Sequence, residues 1–157
     1  MTVYFIGAGP GDPELITVKG QRLIRCCPVI LYAGSLVPPA VLEGHRAERV
    51  VNTAELNLDE IVALLAQADA EGKDVARVHS GDPSLYGAIG EQIRHLRARG
   101  IAYEIIPGVT ATSACAAILG CELTLPDISQ TLILTRYASR TRMPCLLYTS
   151  PSPRDRG

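Results

Sequence analysis

The sequence has few of the features that mark membrane, secreted or nucleic-acid-binding proteins. No run of consecutive apolar residues approaches the length of about 18 that a membrane-spanning helix needs. The short apolar stretch after Met1 has no basic flank and leads directly into a glycine-rich loop, which is not the layout of a signal peptide. The formal net charge is −1 and no long block of Lys and Arg is present, which argues against nucleic acids and anionic membranes as partners. We therefore expect a cytoplasmic protein.

The cysteines lack the spacing of a metal site or a disulfide framework. There are five of them, an odd number, and none forms a C-x-x-C pair. In a cytosolic chain we expect reduced, partly buried thiols and no bound metal. The positions are Cys26, Cys27, Cys115, Cys121 and Cys145.

Alternating strand and helix patterns run through most of the 157 residues, of which 47% are hydrophobic and 20% charged. This composition is typical of a globular chain that can form one domain with its own core. Repeated strand and helix units favour an α/β fold, with a mostly parallel five-stranded sheet flanked by helices. The expected strands are 3–6, 28–32, 49–51, 75–79 and 103–106, and the expected helices are 13–26, 57–72, 87–99 and 110–119.

The C-terminal part departs from this pattern. A further strand over 129–136 predicts the start of a second α/β domain, so we divide the chain into a first domain, 1–126, and a partial second one, 127–144. Residues 145–157 are rich in Ser, Pro and Arg and resemble the translation of a sequencing adapter. We treat them as a non-native tail and expect the natural protein to continue beyond Pro144.

A glycine-rich loop, Gly7-Ala8-Gly9-Pro10-Gly11-Asp12, separates the first strand from the first helix. This placement raises the possibility of a dinucleotide-binding loop and a nicotinamide-dependent oxidoreductase. Pro10 argues against it because it lacks the backbone N–H that a diphosphate needs. Asp12 also argues against a dinucleotide-binding loop, because a carboxylate at a helix N-terminus repels phosphate. The simpler interpretation is a tight turn with Asp12 as a helix N-cap before Pro13.

A second loop of similar design follows the fourth strand, with the sequence Ser80-Gly81-Asp82-Pro83. Loops at the carboxyl ends of parallel strands are where open α/β sheets bind ligands. Small residues there permit a close backbone approach, and Asp82 contributes a carboxylate that either caps the next helix or faces a ligand. Two such loops suit a cationic or neutral polar ligand better than a polyphosphate.

Three long motifs resemble the tetrapyrrole methylases, a family of S-adenosylmethionine-dependent methyltransferases. They are FIGAGPGDPELITVKG at 5–20, HSGDPSLYGAI at 79–89 and PGVTA at 107–111, in the family's order and spacing. Together with YAGSLV at 32–37 and LTLP at 123–126, they are most similar to the branch that methylates carbon 11 of precorrin-4 or cobalt-precorrin-4 in cobalamin biosynthesis. The match covers roughly residues 2–144.

The resemblance implies two α/β domains with a cleft between them, a homodimer, and S-adenosylmethionine as cofactor. It implies a catalytic role for Asp82 and places cofactor contacts at Pro10, Ser80, Gly81, Asp82, Leu85, Thr110 and Ala111. Contacts to the tetrapyrrole fall on Gly7, Gly9, Gly11, Asp12 and Tyr86. Candidates to bind the carboxylates of the substrate are Lys19, Arg46, Arg77 and Arg94.

Other activities within the family remain open, because its glycine loops are shared. They include methylation of precorrin-2, precorrin-3 or uroporphyrinogen, and the protein-modifying diphthine synthase reaction. The oxidoreductase is the alternative from another class.

Overall fold

A computed structural model describes residues 1–135. It divides the chain into two compact units, the first being Met1–Cys121 and the second beginning at Glu122. The domain boundary expected after residue 126 remains a prediction. The first unit contains β1 (Thr2–Gly7), α1 (Val18–Cys26), β2 (Val29–Tyr32), β3 (Arg49–Asn52), α2 (Leu58–Ala70), β4 (Val75–His79), α3 (Ile89–Ala98), β5 (Ala102–Ile106) and α4 (Ala111–Leu119).

The five strands form one parallel sheet in the order β3-β2-β4-β1-β5. The α/β fold class and the five-stranded sheet expected from the sequence are thereby confirmed. Because β1 lies between β4 and β5, the loops that follow these three strands emerge side by side at one edge. This edge is where parallel sheets place their ligands.

Apolar side chains cover both faces of the sheet. The strands contribute near-continuous buried residues, as expected for a parallel sheet with helices on both sides. One core cluster joins β1, β2 and β4 to α2 and α3 and includes Val3, Phe5, Leu31, Leu65 and Leu96. The other joins the opposite face to α1 and includes Ile6, Ile24, Ile30, Val78 and Ile106.

Hydrogen-bonding side chains cap the starts of α2 and α4. The side chain of Asn57 accepts a hydrogen bond from Glu60 N, and the Glu60 carboxylate accepts one from Asn57 N, which completes a capping box. Thr110 caps α4 by accepting a hydrogen bond from Ser113 N at 3.3 Å. Both helices therefore begin where the sequence indicates.

The prediction of a single helix over 13–26 is wrong. Pro13–Leu15 form only a 3₁₀ turn, and Ile16 has extended backbone angles. The side chain of Thr17 then accepts a hydrogen bond from Gly20 N and starts α1 at Val18. A second N-cap inside the apolar pattern thus divides one predicted helix into two elements.

The helix after β4 also begins later than expected, at Ile89 rather than about Gly87. Asp82 does not cap it: Pro83 lies in a separate turn, and the N-cap position belongs to Ala88 in a left-handed conformation.

The sequence predicts a strand over 129–136. This prediction is wrong for the described residues 129–135, which contain no strand. Leu125 and Ser129 instead exchange backbone hydrogen bonds of 2.8 and 3.0 Å across a tight turn. A strand needs a neighbour for its backbone groups, and the described residues 122–135 supply none. Half of the partial second domain expected over 127–144 and the whole tail over 145–157 lie outside the described residues. Among residues 1–135, no helix is long and apolar enough to span a membrane.

Candidate functional site

Three loops meet at the carboxyl edge of the sheet. Loop 1 (residues 7–12) follows β1, loop 2 (80–88) follows β4, and loop 3 (107–110) follows β5. The two glycine loops singled out in the sequence are therefore on the same edge, as expected. Their strands are hydrogen-bonded neighbours, with Gly7 opposite His79.

Loops 1 and 2 remain hydrogen-bonded beyond the ends of their strands. Ala8 N donates to His79 O at 2.7 Å. Gly9 and Gly81 then pair in an antiparallel bridge, with N···O distances of 3.2 and 2.7 Å. Gly9 has a φ of 81° and Gly81 a φ of 59°, values at which a side chain is strained. The two loops thus form one fixed backbone surface.

Loop 3 is packed against this surface through glycines. A Cβ added to Gly108 would lie 2.1 Å from the carbonyl oxygen of Gly81, and one added to Gly7 would lie 2.6 Å from Gly108 Cα. Neither distance leaves room for a methyl group. Gly7 and Gly108 must be glycine for the loops to approach this closely, whereas glycine at position 81 is favoured by its positive φ.

The carboxylate of Asp82 joins loop 2 to loop 3. Its Oδ1 accepts a hydrogen bond from Ser84 N at 2.7 Å, and its Oδ2 accepts one from Gly108 N at 2.9 Å. Burial pushes the pKa of Asp82 upward, but the hydrogen bonds from Gly108 and Ser84 outweigh that effect and hold the pKa below its ordinary value. Asp82 is therefore an anion at neutral pH, and its carboxylate keeps some acceptor capacity beyond the hydrogen bonds from Ser84 and Gly108.

Loop 2 contains a tight and strained turn directly after Asp82. Tyr86 and Ala88 both have positive φ, at 58° and 50°, although neither is glycine. A Cβ on Gly87 between them would lie 2.2 Å from the carbonyl oxygen of Pro83. Leu85 and Tyr86 are exposed, at 38% and 61%. Strain of this kind persists only where the surrounding structure fixes it, and it clusters at ligand sites.

The remaining predicted site residues lie at the ends of the loops. Asp12 accepts a hydrogen bond from Glu14 N at 2.9 Å and caps the 3₁₀ turn, so its expected role as an N-cap is confirmed. Thr110 caps α4, and Ala111 is the first residue of that helix. Pro10, Gly11 and Ser80 are partly exposed members of loops 1 and 2.

Two polar side chains lie buried beneath loop 2, on the face of β4 that packs against Phe5. Arg77 is 4% exposed and donates to the Gln92 side chain at 3.2 Å and to Leu31 O at 3.3 Å. Arg77 therefore cannot serve as a carboxylate ligand at the surface, which corrects the expectation for that residue. Burial lowers its pKa to about 10, so the guanidinium keeps its charge at neutral pH.

His79 is 5% exposed, and its Nε2 has no hydrogen-bond partner. Its ring lies 6.0 Å from that of Phe5. Burial, with a smaller effect from the charge of Arg77, lowers the pKa of His79 to about 3. The imidazole is therefore neutral at physiological pH and forms part of the support beneath loop 2.

Sequence reasoning missed the role of Asn52, the last residue of β3. Its Oδ1 accepts hydrogen bonds from Gly34 N at 3.1 Å and Ala54 N at 3.0 Å. A Cβ on Gly34 would lie within 2.5 Å of the Asn52 amide. Asn52 thereby fixes the loop after β2 at the same sheet edge. The only available signal was an amide directly after an apolar strand.

Two of the four predicted carboxylate-binding cations are engaged elsewhere. Lys19 pairs with Glu104, and Arg94 pairs with Glu91 at 3.1 Å. Arg46 is exposed and lies away from the three loops, beside α1. Among residues 1–135 no group of three or more His, Cys, Asp or Glu side chains is arranged to bind a metal.

Comparison with known proteins places this site in context. Residues 2–146 match the family model of the tetrapyrrole (corrin/porphyrin) methylases. The precorrin-4 C(11)-methyltransferase of Pseudomonas aeruginosa is 83% identical over 144 residues, which are 92% of this chain and 58% of that enzyme. The chain thus spans less than two thirds of the length of this relative.

Solved structures of two methyltransferases have a fold similar to that of this chain. The X-ray structure of a cobalt precorrin-4 methyltransferase, a cobalamin biosynthetic enzyme, superimposes with a TM-score of 0.86 at 49% identity over 91% of this chain and 60% of that one. A uroporphyrin-III C-methyltransferase from Thermus thermophilus, in complex with S-adenosyl homocysteine, gives a TM-score of 0.68 at 38% identity over 83% of this chain and 53% of that one. This chain belongs to the tetrapyrrole (corrin/porphyrin) methylase family.

Proposed function

We propose that the complete protein transfers a methyl group from S-adenosylmethionine to carbon 11 of precorrin-4 or cobalt-precorrin-4. The observation that carries this proposal is the junction of loops 1, 2 and 3 around Asp82, in a chain 83% identical to a precorrin-4 C(11)-methyltransferase. Methyl transfer to another tetrapyrrole carbon is the alternative, because a uroporphyrin-III methyltransferase has the same fold.

The chemistry of loops 1, 2 and 3 fits a cationic cofactor. The loops offer backbone groups and one anionic carboxylate, whereas Pro10 lacks an N–H and Asp12 carries a negative charge at the turn where a phosphate would otherwise bind. S-adenosylmethionine supplies an electrophilic methyl group on a positively charged sulfur. In this proposal Pro10, Ser80, Gly81, Asp82, Leu85, Thr110 and Ala111 hold the cofactor.

The exposed side of loops 1 and 2 is proposed to receive the tetrapyrrole. Gly11, Asp12 and Tyr86 are partly or fully exposed on this side, whereas Gly7 and Gly9 are buried and would shape the surface from beneath. Because a pyrrole-type carbon is already nucleophilic, the reaction needs no Ser or Cys nucleophile from the protein. The loops contribute mainly by orienting the two reactants, an effect that can account for several kcal/mol of a barrier.

Asp82 has two roles in this proposal. Its hydrogen bonds to Ser84 and Gly108 keep loops 2 and 3 in place. Its negative charge favours a cation nearby and can accept a hydrogen bond from a pyrrole N–H. We also propose that the full-length protein is a cytoplasmic homodimer, as the family resemblance implies.

The test uses a full-length protein, made by joining this chain at Pro144 to the remainder of the Pseudomonas aeruginosa relative. Calorimetry should show binding of S-adenosylhomocysteine and none of NAD. Binding of NAD without S-adenosylhomocysteine would overturn the methylase assignment. So would failure to bind S-adenosylhomocysteine when the intact relative, used as the control, binds it.

The position of methylation is tested separately. The same protein, supplied with precorrin-4 and ¹³C-methyl-labelled S-adenosylmethionine, should give a product with the labelled methyl group on carbon 11 by NMR. A label on another carbon would favour the alternative within the family. A parallel reaction with cobalt-precorrin-4 identifies which of the two substrates is used.

A further inference from the structure

A groove with a volume of about 820 Å³ runs along the outer side of α1. Its volume is within the range of small-molecule sites. The described residues that line it come from α1 and from the connection between β2 and β3, and none belongs to loops 1, 2 or 3. They are Val18, Gln21, Arg22, Arg25, Cys26, Gly44 and Arg46.

The groove carries three positive charges and no negative one among its described lining residues. Arg22, Arg25 and Arg46 are exposed, and none of them forms an ion pair within residues 1–135. Glu43 precedes Gly44 in the sequence but does not line the groove. Elsewhere in the unit, Lys19, Arg49, Lys73 and Arg94 have carboxylate partners. Arg77, Arg97 and Arg99 donate hydrogen bonds to other protein oxygen atoms.

Position on α1 explains one of these charges only. Arg25 is in the last turn of the helix, where a cation interacts favourably with the helix dipole. Arg22 lies three residues before Arg25 on the same face of the helix, where the two positive charges repel each other. Arg46 is on a different segment altogether. A bound polyanion would relieve this repulsion.

The lining of the groove also offers apolar surface. Val18, the first residue of α1, is 86% exposed, and Cys26, the last residue, is also exposed. The aliphatic parts of the arginine side chains add to this surface. A ligand with a flat apolar body and several carboxylates matches both properties, and guanidinium groups bind carboxylates in a bidentate manner.

We propose that this groove is a second binding site for a polycarboxylated tetrapyrrole, separate from the methyl-transfer site. The choice of ligand rests on the proposed function, whereas the anionic character of the ligand rests on the three arginines. The site would hold substrate or product outside loops 1, 2 and 3 by its acetate and propionate groups.

Uroporphyrin, whose rim carries acetate and propionate groups, is a suitable probe. Its binding to this chain is followed by fluorescence at low salt. The double variant Arg22→Gln, Arg46→Gln should bind it about tenfold more weakly, and added salt should reduce the difference. The matched control, Arg97→Gln with Arg99→Gln at the C-terminal end of α3, removes the same charge and should bind as the parent does. Equal weakening by both double variants would overturn the proposal.

A second arm separates a tetrapyrrole site from a general anion site. Inorganic pyrophosphate carries several charges but no apolar body, so it should compete with uroporphyrin only at much higher concentration. Competition at equal concentration would show that the groove binds anions without regard to the tetrapyrrole. The assignment to tetrapyrroles would then be wrong.

Cysteine alkylation locates the bound probe. Uroporphyrin should slow the reaction of Cys26 with iodoacetamide and leave the exposed Cys115 and Cys121 unaffected, as read by peptide mass spectrometry. Protection should persist in Asp82→Asn, because loop 2 does not line the groove. Absence of protection at Cys26, or its loss in Asp82→Asn, would overturn the proposal. No methyl donor is involved, so this outcome is independent of whether the chain binds S-adenosylhomocysteine.

Discussion

Asp82 accepts a hydrogen bond from the backbone N–H of Gly108 at 2.9 Å, across a separation of 26 residues in the sequence. This contact joins the loop after β4 to the loop after β5, on either side of the loop after β1. One carboxylate therefore determines the relative position of two of the three loops at the candidate site.

Asp82→Asn should weaken both the fold and the site. The amide keeps one acceptor oxygen. Its NH₂ group takes the place of the second carboxylate oxygen and would face the backbone N–H of Ser84 or Gly108, from which it cannot accept a hydrogen bond. We expect a loss of about 1–2 kcal/mol in the free energy of unfolding, measured by urea denaturation of this chain. In the full-length protein, the affinity for S-adenosylhomocysteine should fall at least about tenfold by calorimetry.

Asp12→Asn is the matched control, since Asp12 also precedes a proline and accepts a hydrogen bond from the residue two positions on. Asn caps a turn about as well as Asp, so the unfolding free energy should change little. Equal losses in the two variants would contradict a special role for the Asp82 to Gly108 contact.

Gly108→Ala should be more damaging than its single added methyl group suggests. The new Cβ would lie 2.1 Å from the carbonyl oxygen of Gly81, and backbone hydrogen bonds hold both residues in place. We expect a loss of about 2–4 kcal/mol in unfolding free energy and a loss of S-adenosylhomocysteine binding. Urea denaturation and calorimetry measure the two effects.

Gly90→Ala provides the contrast. Gly90 is exposed near the start of α3, and an added Cβ there meets nothing within 4 Å. Since Ala is the better helix former, this variant should gain about 0.5–1 kcal/mol and bind as the parent does. A Gly108→Ala variant as stable as Gly90→Ala would show that loop 3 can move away from loop 2.

The fold could be predicted largely from local patterns. Strands such as β1 and β4 are buried on both faces and appear as continuous apolar runs, and Asn57 and Glu60 carry the capping box of α2 in four residues. Both signals are local. Both survive in the structure within one or two residues of their predicted bounds.

The parts that could not be predicted depend on tertiary contacts. Arg77 resembles a surface cation in the sequence, but its strand lies in the middle of the sheet, which buries it. The left-handed angles of Tyr86 and Ala88, on either side of the closely packed Gly87, have no signal in residue type. At the site, the glycines and Asp82 were predicted, whereas the role of Asn52 depends on a contact with Gly34 across 18 residues.

Asn52→Ala should loosen the loop after β2. It removes the acceptor for Gly34 N and Ala54 N, and we expect about 1–2 kcal/mol less unfolding free energy. Asn52→Asp keeps the acceptor oxygen and should lose much less. Equal destabilisation by Ala and Asp in urea denaturation would show that the amide group, rather than its acceptor oxygen, is what matters.

His79 should make the stability of the first unit depend on pH in the acid range. In the folded protein its pKa is lowered to about 3, against an ordinary value of 6.5. Below about pH 6.5 the unfolded chain binds a proton that the folded chain does not, so stability falls as the pH falls towards 3. The slope contributed by this one group approaches about 1.4 kcal/mol per pH unit.

The variant His79→Gln isolates this effect, because glutamine is polar but does not titrate. Its unfolding free energy, measured by urea denaturation between pH 7 and pH 4, should decline less steeply than that of the parent. Parallel slopes for His79→Gln and the parent would mean that water reaches the imidazole in the folded state. In that case the support beneath loop 2 would be less tightly packed than its buried, unpartnered Nε2 indicates.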